Sequence, residues 1–112
     1  MADVLGTFEQ AVLLAIVRLR DDAYGRAILS EVQRRLDREV AAGAVHATLE
    51  RLENKGLLSS RLGSGTPVRA GRPRRYYRLQ PAGVKALNDA RAAVDTLWAG
   101  LRWPLTKAKV LS

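Results

Sequence analysis

The sequence predicts a mainly α chain interrupted by one small β-hairpin, and three observations predict it. Apolar residues recur at steps of three and four along three successive segments of the first half. A stretch rich in Gly, Pro and Arg, flanked by short alternating runs, then breaks that rhythm. A fourth periodic segment opens at Pro81, a residue suited to the first position of a helix, and stops before Trp103-Pro104.

From Thr7 to Leu19, residues Phe8, Val12, Ile16 and Leu19 fall on one helical side, widened by Leu13 and Val17. A second helix is expected to use Asp21-Asp22 as N-cap candidates and to run to about Glu39. Ile28, Leu29, Val32, Leu36 and Val40 share one of its faces. The third spans Ala42 to Gly56. Val45, Leu49 and Leu52 make its stripe, Lys55 complements the dipole of its last turn, and Gly56 suits a left-handed position past the end.

Leu58, Ser60 and Leu62 alternate as one strand, and Tyr77 and Leu79 as a second. Neighbours in a strand point to opposite faces, so Tyr77 is expected to pack inward and Tyr76 to lie beside the outer, ligand-facing side. About a dozen residues join the strands, long for a hairpin. In the last helix Val84, Leu87, Val94, Trp98 and Leu101 take alternating steps of three and four, with Arg91 as one polar interruption. That is a short coiled-coil seam, expected to end near Arg102.

The 112 residues suffice for one domain with its own core, and the net charge of +8 is not spread evenly. Arg61, Arg69, Arg72, Arg74, Arg75 and Arg78 lie in a segment without one acidic residue. Charge concentrated in an inserted hairpin favours a polyanion-binding surface over general solubility. There is no cysteine and one histidine, so neither a thiolate nor a histidine metal cluster is expected, and no cofactor. The apolar run Ala11 to Val17 is too short for a membrane span and lacks a basic leader, so a cytoplasmic chain without membrane contact is expected.

Three helices, a two-stranded hairpin and a final helix are the parts of a winged helix-turn-helix. On that reading residues 1–80 form the DNA-binding unit, residues 81–105 a dimerisation helix and residues 106–112 a disordered tail. Helix three would enter the major groove of double-stranded DNA. Gly43, Ala44 and Ala47 would permit close backbone approach, with His46, Thr48, Glu50, Arg51 and Asn54 as its further contacts. Glu50, repelled by phosphate, is expected to be neutralised by His46 one turn earlier or by Arg51. The wing would bring Arg69, Arg72, Arg74, Arg75 and Tyr76 to phosphates or the adjoining minor groove.

The block Gly43-Ala44-Val45-His46-Ala47-Thr48-Leu49-Glu50-Arg51-Leu52-Glu53-Asn54-Lys55-Gly56-Leu57-Leu58 is followed by Gly71-Arg72-Pro73-Arg74-Arg75-Tyr76-Tyr77-Arg78-Leu79, then by Gly83 and Leu87. This order resembles the PadR family of transcriptional regulators, from about Leu5 to Leu101, including Tyr24-Gly25. The length is similar to the branch with a short C terminus, in which one helix dimerises. The chain departs from the family's habit at His46, usually aromatic there, at Glu50, commonly basic, and at Gln80, commonly Thr. Gln80 is a weak N-cap, which leaves Pro81 to define the last helix start.

The resemblance implies a homodimeric bacterial repressor at the nucleoid, covering a pseudo-palindromic operator. Val84, Leu87, Arg91, Val94, Trp98 and Leu101 would form the dimer interface. In some relatives a tryptophan on this helix stacks on flat aromatic compounds, which makes Trp98 the candidate for an aromatic small-molecule effector. The alternative at that position is a tryptophan buried in the dimer core without ligand. Two rival functions remain beside the operator reading: an RNA- or ribosome-associated basic module, and a dimeric protein-interaction domain. An enzyme is not expected, since no paired carboxylates, Cys-His arrangement or phosphate-binding glycine loop is present, and no catalytic residue is assigned.

Overall fold

In the computed structural model, helix α1 (Thr7–Leu19) begins where the Glu9 carboxylate turns back to accept the Gly6 backbone N–H at 3.0 Å. That bond satisfies one donor outside the helix ladder. Residues 4–63 and 73–107 are described by the structure. Along α1 the period of the apolar residues takes Val12, Leu13 and Ile16 into the core, as the sequence predicts.

Asp21 and Asp22 do not cap the second helix. With Arg20 they form a single 3-10 turn, and α2 (Gly25–Leu36) takes Tyr24 as its N-cap without a side-chain hydrogen bond. This helix also ends earlier than expected. Asp37 adopts a left-handed conformation (φ 52°), the Arg38 N–H returns to the Gln33 carbonyl, and the Gln33 side chain takes the Val40 N–H at 3.1 Å. These bonds turn the chain before Glu39 while Leu36 and Val40 still pack against the core.

Glu31, on the same helix, is buried among arginines. It accepts from Arg34 and, at 3.0 Å, from Arg35, with Arg18 of α1 at 3.9 Å. A carboxylate so placed holds its charge. The Arg35 hydrogen bond, then that of Arg34, lowers its pKa below the ordinary value.

Helix α3 (Ala42–Asn54) ends two residues before the expected Gly56, which takes the left-handed position past its end. Gly56 has φ 79°, and the Leu57 N–H reaches back to the Leu52 carbonyl at 3.0 Å. Strands β1 (Leu58–Leu62) and β2 (Arg75–Leu79) pair antiparallel, with Leu58 opposite Leu79 and Ser60 opposite Tyr77. Leu58 and Tyr77 are buried, whereas Leu62 at the outer end is exposed. The Tyr77 N–H also bonds the Ala23 carbonyl at 2.8 Å, so the hairpin is tied to the segment leading into α2.

Helix α4 (Pro81–Trp98) starts at Pro81 after an uncapped Gln80, whose amide instead donates to Ser59 Oγ at 2.7 Å. Gly83 lets the first turn lie on the end of α3 and β1: a Cβ there would sit 2.2 Å from the Leu57 carbonyl oxygen. Only glycine fits so close an approach. The helix stops at Trp98, earlier than Arg102, because Ala99 becomes extended and Gly100 takes φ 81°. Of the expected 106–112 tail, Thr106 and Lys107 are described and residues 108–112 lie outside the described residues.

Val12, Leu13, Ile16, Ile28, Val32, Val45, Leu49, Leu52, Leu58 and Tyr77 form one core where the first three helices meet the hairpin. The Cα radius of gyration is 17.1 Å, against about 13 Å for a compact chain of this length. The excess fits a far half of α4 left largely exposed.

Candidate nucleic-acid interface

The period of α3 separates a buried stripe from an open one. Val45, Thr48, Leu49 and Leu52 face the core, while Gly43, Ala44, His46, Ala47, Glu50, Arg51 and Asn54 are exposed. Thr48 was expected among the DNA contacts. At 4 % exposure it is a core residue, because it falls one turn from both Val45 and Leu52 on the inner side.

The exposed side combines small residues with a few charges. His46 Nε2 stands 4.0 Å from Glu50 Oε2, the expected pair one turn apart. Arg51 does not share in neutralising Glu50. Its Nε lies 3.5 Å from Glu9 Oε2 on α1, and Lys55 Nζ lies 3.7 Å from the same oxygen. Burial works against the Glu9 charge, but the Gly6 N–H, Lys55 and Arg51 together hold its pKa below the ordinary value. The side chain expected to read bases is thus tethered at its inner nitrogen. No local sequence signal joins Glu9 to Arg51.

In the wing, Arg69 and Arg72 lie outside the described residues. Arg74, Arg75 and Tyr76 are placed. The Arg74 guanidinium sits 4.1 Å over the Tyr24 ring, and Arg61 covers Tyr76 at 5.2 Å. Tyr24 and Tyr76 meet edge to face, with centroids 5.8 Å apart. Tyr76 therefore points away from Tyr77, as strand geometry requires, but its half-buried ring is a packing surface for two cations and a second ring.

Arg75 lies on the other face of β2. Its Nη1 donates to Ser60 Oγ at 2.9 Å, and that hydroxyl donates to Glu53 Oε2 at 2.8 Å. The chain Arg75–Ser60–Glu53 connects the hairpin base to α3. Beside it Tyr77 is 9 % exposed, and burial raises the pKa of its phenol. A cavity of about 470 Å³ opens between α2, α3 and β2, with Arg26, His46 and Arg75 among its lining residues.

On α4, Gly83, Ala86, Leu87 and Ala90 are buried or half-buried, with Ala86, Leu87 and Ala90 at the hydrophobic core. Leu87, expected at a dimer seam, is therefore at least half committed within its own chain. The same helical side continues through Val94 to Leu97, which is 77 % exposed. Leu97 was missed, though it stands three residues past Val94 in the stripe. Val84 and Val94 are exposed, Arg91 pairs with Asp95 at 3.5 Å, and Trp98 is half-buried. Leu101, expected on the seam, falls beyond the end of the helix.

The sequence matches the Transcriptional regulator PadR-like family over residues 13–89, which takes in the core of α1, all of α2, α3 and the hairpin, and half of α4. The chain belongs to that family. Its members are transcriptional regulators, not enzymes. A transcriptional regulator of Mycobacterium tuberculosis is 39% identical to this PadR-like chain over 77 residues, 69% of this chain and 67% of that protein.

Among solved structures, a PadR family transcriptional regulator from Eggerthella lenta is similar with TM-score 0.63 and 29% identity, covering 90% of this chain and 80% of that one. A PadR-like transcription factor from Bacteroides fragilis gives TM-score 0.66 and 29% identity, covering 82% and 84%. A protein from Bordetella bronchiseptica, whose DNA binding is regulated by 6-hydroxynicotinic acid, shares the fold alone at 16% identity, TM-score 0.61 and coverage of 99% and 78%. Four helices with one antiparallel hairpin are thus the winged helix of the PadR-like regulators. Among the described residues no helix is long and apolar enough to cross a membrane.

Proposed function

We propose that this PadR-like regulator acts as a homodimeric repressor that covers a pseudo-palindromic operator in a bacterial promoter. The observation that carries the reading is the apolar side of α4, covered by the chain's own core as far as Ala90 and uncovered from Val94 to Leu97. A stripe that outruns the domain it packs on is completed by the same stripe from a second copy. Two copies present two α3 helices, whose small residues Gly43, Ala44 and Ala47 approach adjacent major grooves about one turn apart. The wings add charge and register from Arg74 and Arg75, and in the same reading from Arg69 and Arg72.

An aromatic effector belongs to the same proposal, stacking on half-buried Trp98 at the dimer end of α4. It would release DNA only by favouring one relative orientation of the subunits over the other. The test is selection of bound fragments from random duplex DNA together with the molar mass of the free protein. Recovery of an inverted repeat by a dimer is the expected result. A monomer, or a selected pool without any common motif, defeats the reading.

A further inference from the structure

We infer that Arg26, at the start of α2, is a DNA-backbone contact, and that with His46 and Arg75 it forms a seat for one backbone phosphate beside the reading helix. This deepens the reading proposed above and rests on it. The three side chains come from three elements, α2, α3 and β2, and line one cavity of about 470 Å³ with no carboxylate among its described lining residues. Their hydrogen-bond donors are not all consumed, although Glu50 and Glu53 lie near His46 and Arg75. Arg26 is exposed and makes no ion pair or hydrogen bond among the described residues. Arg75 spends one nitrogen on Ser60, which leaves its other donors available, and His46 has Glu50 only at 4.0 Å.

The chemistry of the cavity selects its occupant. Val45, Leu49 and Tyr77 at its floor are almost fully covered by their own chain, and half-buried Leu29 joins Arg26, His46, Arg75, Gly25 and Ala42 on its walls. Two guanidinium groups and one imidazole converging from three elements suit a compact anion, which each can meet with an N–H donor. Its place decides between a free anion and one on a polymer. His46 flanks the exposed side of α3 that carries Gly43, Ala47 and Glu50, so an anion held here lies beside the surface proposed to face the groove. A phosphate of the duplex backbone occupies that position when α3 lies in the groove, and three donors from three elements would fix the helix's depth and angle. Arg26 then sets register and carries no sequence information itself.

The test compares Arg26→Ala with Lys85→Ala, which removes one charge from the exposed side of α4, on the selected operator duplex and on a scrambled one. Neither side chain is buried, so both variants should melt as the wild type does. Arg26→Ala is expected to weaken both duplexes by about five- to tenfold and to lower the slope of log affinity against log salt by about 1, with the preference for operator kept. Arg26→Lys should restore part of the loss. An effect no larger than that of Lys85→Ala overturns the assignment, as does a loss confined to the operator, which would make Arg26 a base reader. Protection of the wild type, but not Arg26→Ala, against heat by inorganic phosphate, with DNA binding equal in both, would assign the seat to a free anion. A wild-type chain that binds no duplex at all removes the inference and the operator reading together, whereas failure of Arg26 alone leaves the latter standing.

Discussion

Glu9 and Arg51 approach to 3.5 Å, joining the first turn of α1 to the last turn of α3, and Lys55 closes on the same carboxylate at 3.7 Å. The contact holds the end of the reading helix against the oldest part of the core in sequence order. It also restrains a cation on the exposed side of α3 proposed to face DNA. Replacing the charge and removing the whole side chain should have separable effects.

Glu9→Gln keeps an acceptor for the Gly6 N–H and loses the ion pairs, whereas Glu9→Ala loses both. Because Arg51 is half exposed, the charge alone is expected to contribute about 0.5 kcal/mol, and full truncation to cost about 1–1.5 kcal/mol. Urea unfolding measures both. Glu9→Gln should also tighten binding to duplex DNA, since Arg51 and Lys55 lose their counter-charge; unchanged or weaker binding would mean that the tether positions Arg51 productively.

Acid should destabilise the fold in a defined window. Glu9 and Glu31 have folded-state pKa values below the ordinary value of 4.5, so between the folded and unfolded values the native form binds fewer protons than the unfolded one. Their contribution is therefore complete above about pH 4.5 and is lost as pH falls through the folded values. Melting temperature followed downward from neutrality should hold steady and then drop below that point. Glu31→Gln should begin lower at neutral pH and show a shallower acid drop; a drop identical to wild type would remove Glu31 from the effect.

Gly83 and Gly43 make a matched pair of tests. A methyl group at Gly83 meets the Leu57 carbonyl oxygen and a Leu79 methyl, so Gly83→Ala should cost about 2–3 kcal/mol and displace the root of α4. Nothing lies within 4 Å of a Cβ at Gly43. Gly43→Ala should therefore stabilise the fold by about 0.5 kcal/mol through helix propensity while weakening DNA binding, because on the proposed reading the added methyl would meet the groove. Equal stability changes in the two variants would refute the close-packing account of Gly83.

Leu97→Asp should convert dimers to monomers with little change in the urea midpoint of the remaining single-chain core, since the side chain touches little of its own chain. Light scattering across a concentration series reads the assembly state. Leu87→Asp is the contrast, and should unfold the chain instead, because Leu87 packs on the core.

Periodicity made α1 and the start of α3 legible, Pro81 marked the start of α4, and Gly56 marked the turn just past the end of α3 at Asn54, because each of these signals is local. The start of α2 was not legible. Asp21 and Asp22 are good caps by type, but a tight turn placed them one step too early, and Tyr24 took the position as the chain met β2. Thr48 and Leu87 were misplaced for a related reason: a wheel gives the sides of a helix, but which side meets the core depends on neighbours. The Glu9–Arg51 contact and the convergence of Arg26, His46 and Arg75 are products of tertiary folding and leave no trace in spacing.

On the dimer proposed above, the uncovered stretch from Val94 to Leu97 makes concentration a structural variable. A short helix without a packed face is marginal in water, so in the proposed dimer the end of α4 would gain its order from the other copy. Dilution should then act on this protein much as a mild denaturant does, fraying α4 first. In a cell the dose of the gene product would then set how sharply occupancy responds, because each proposed dimer would draw two chains from the pool.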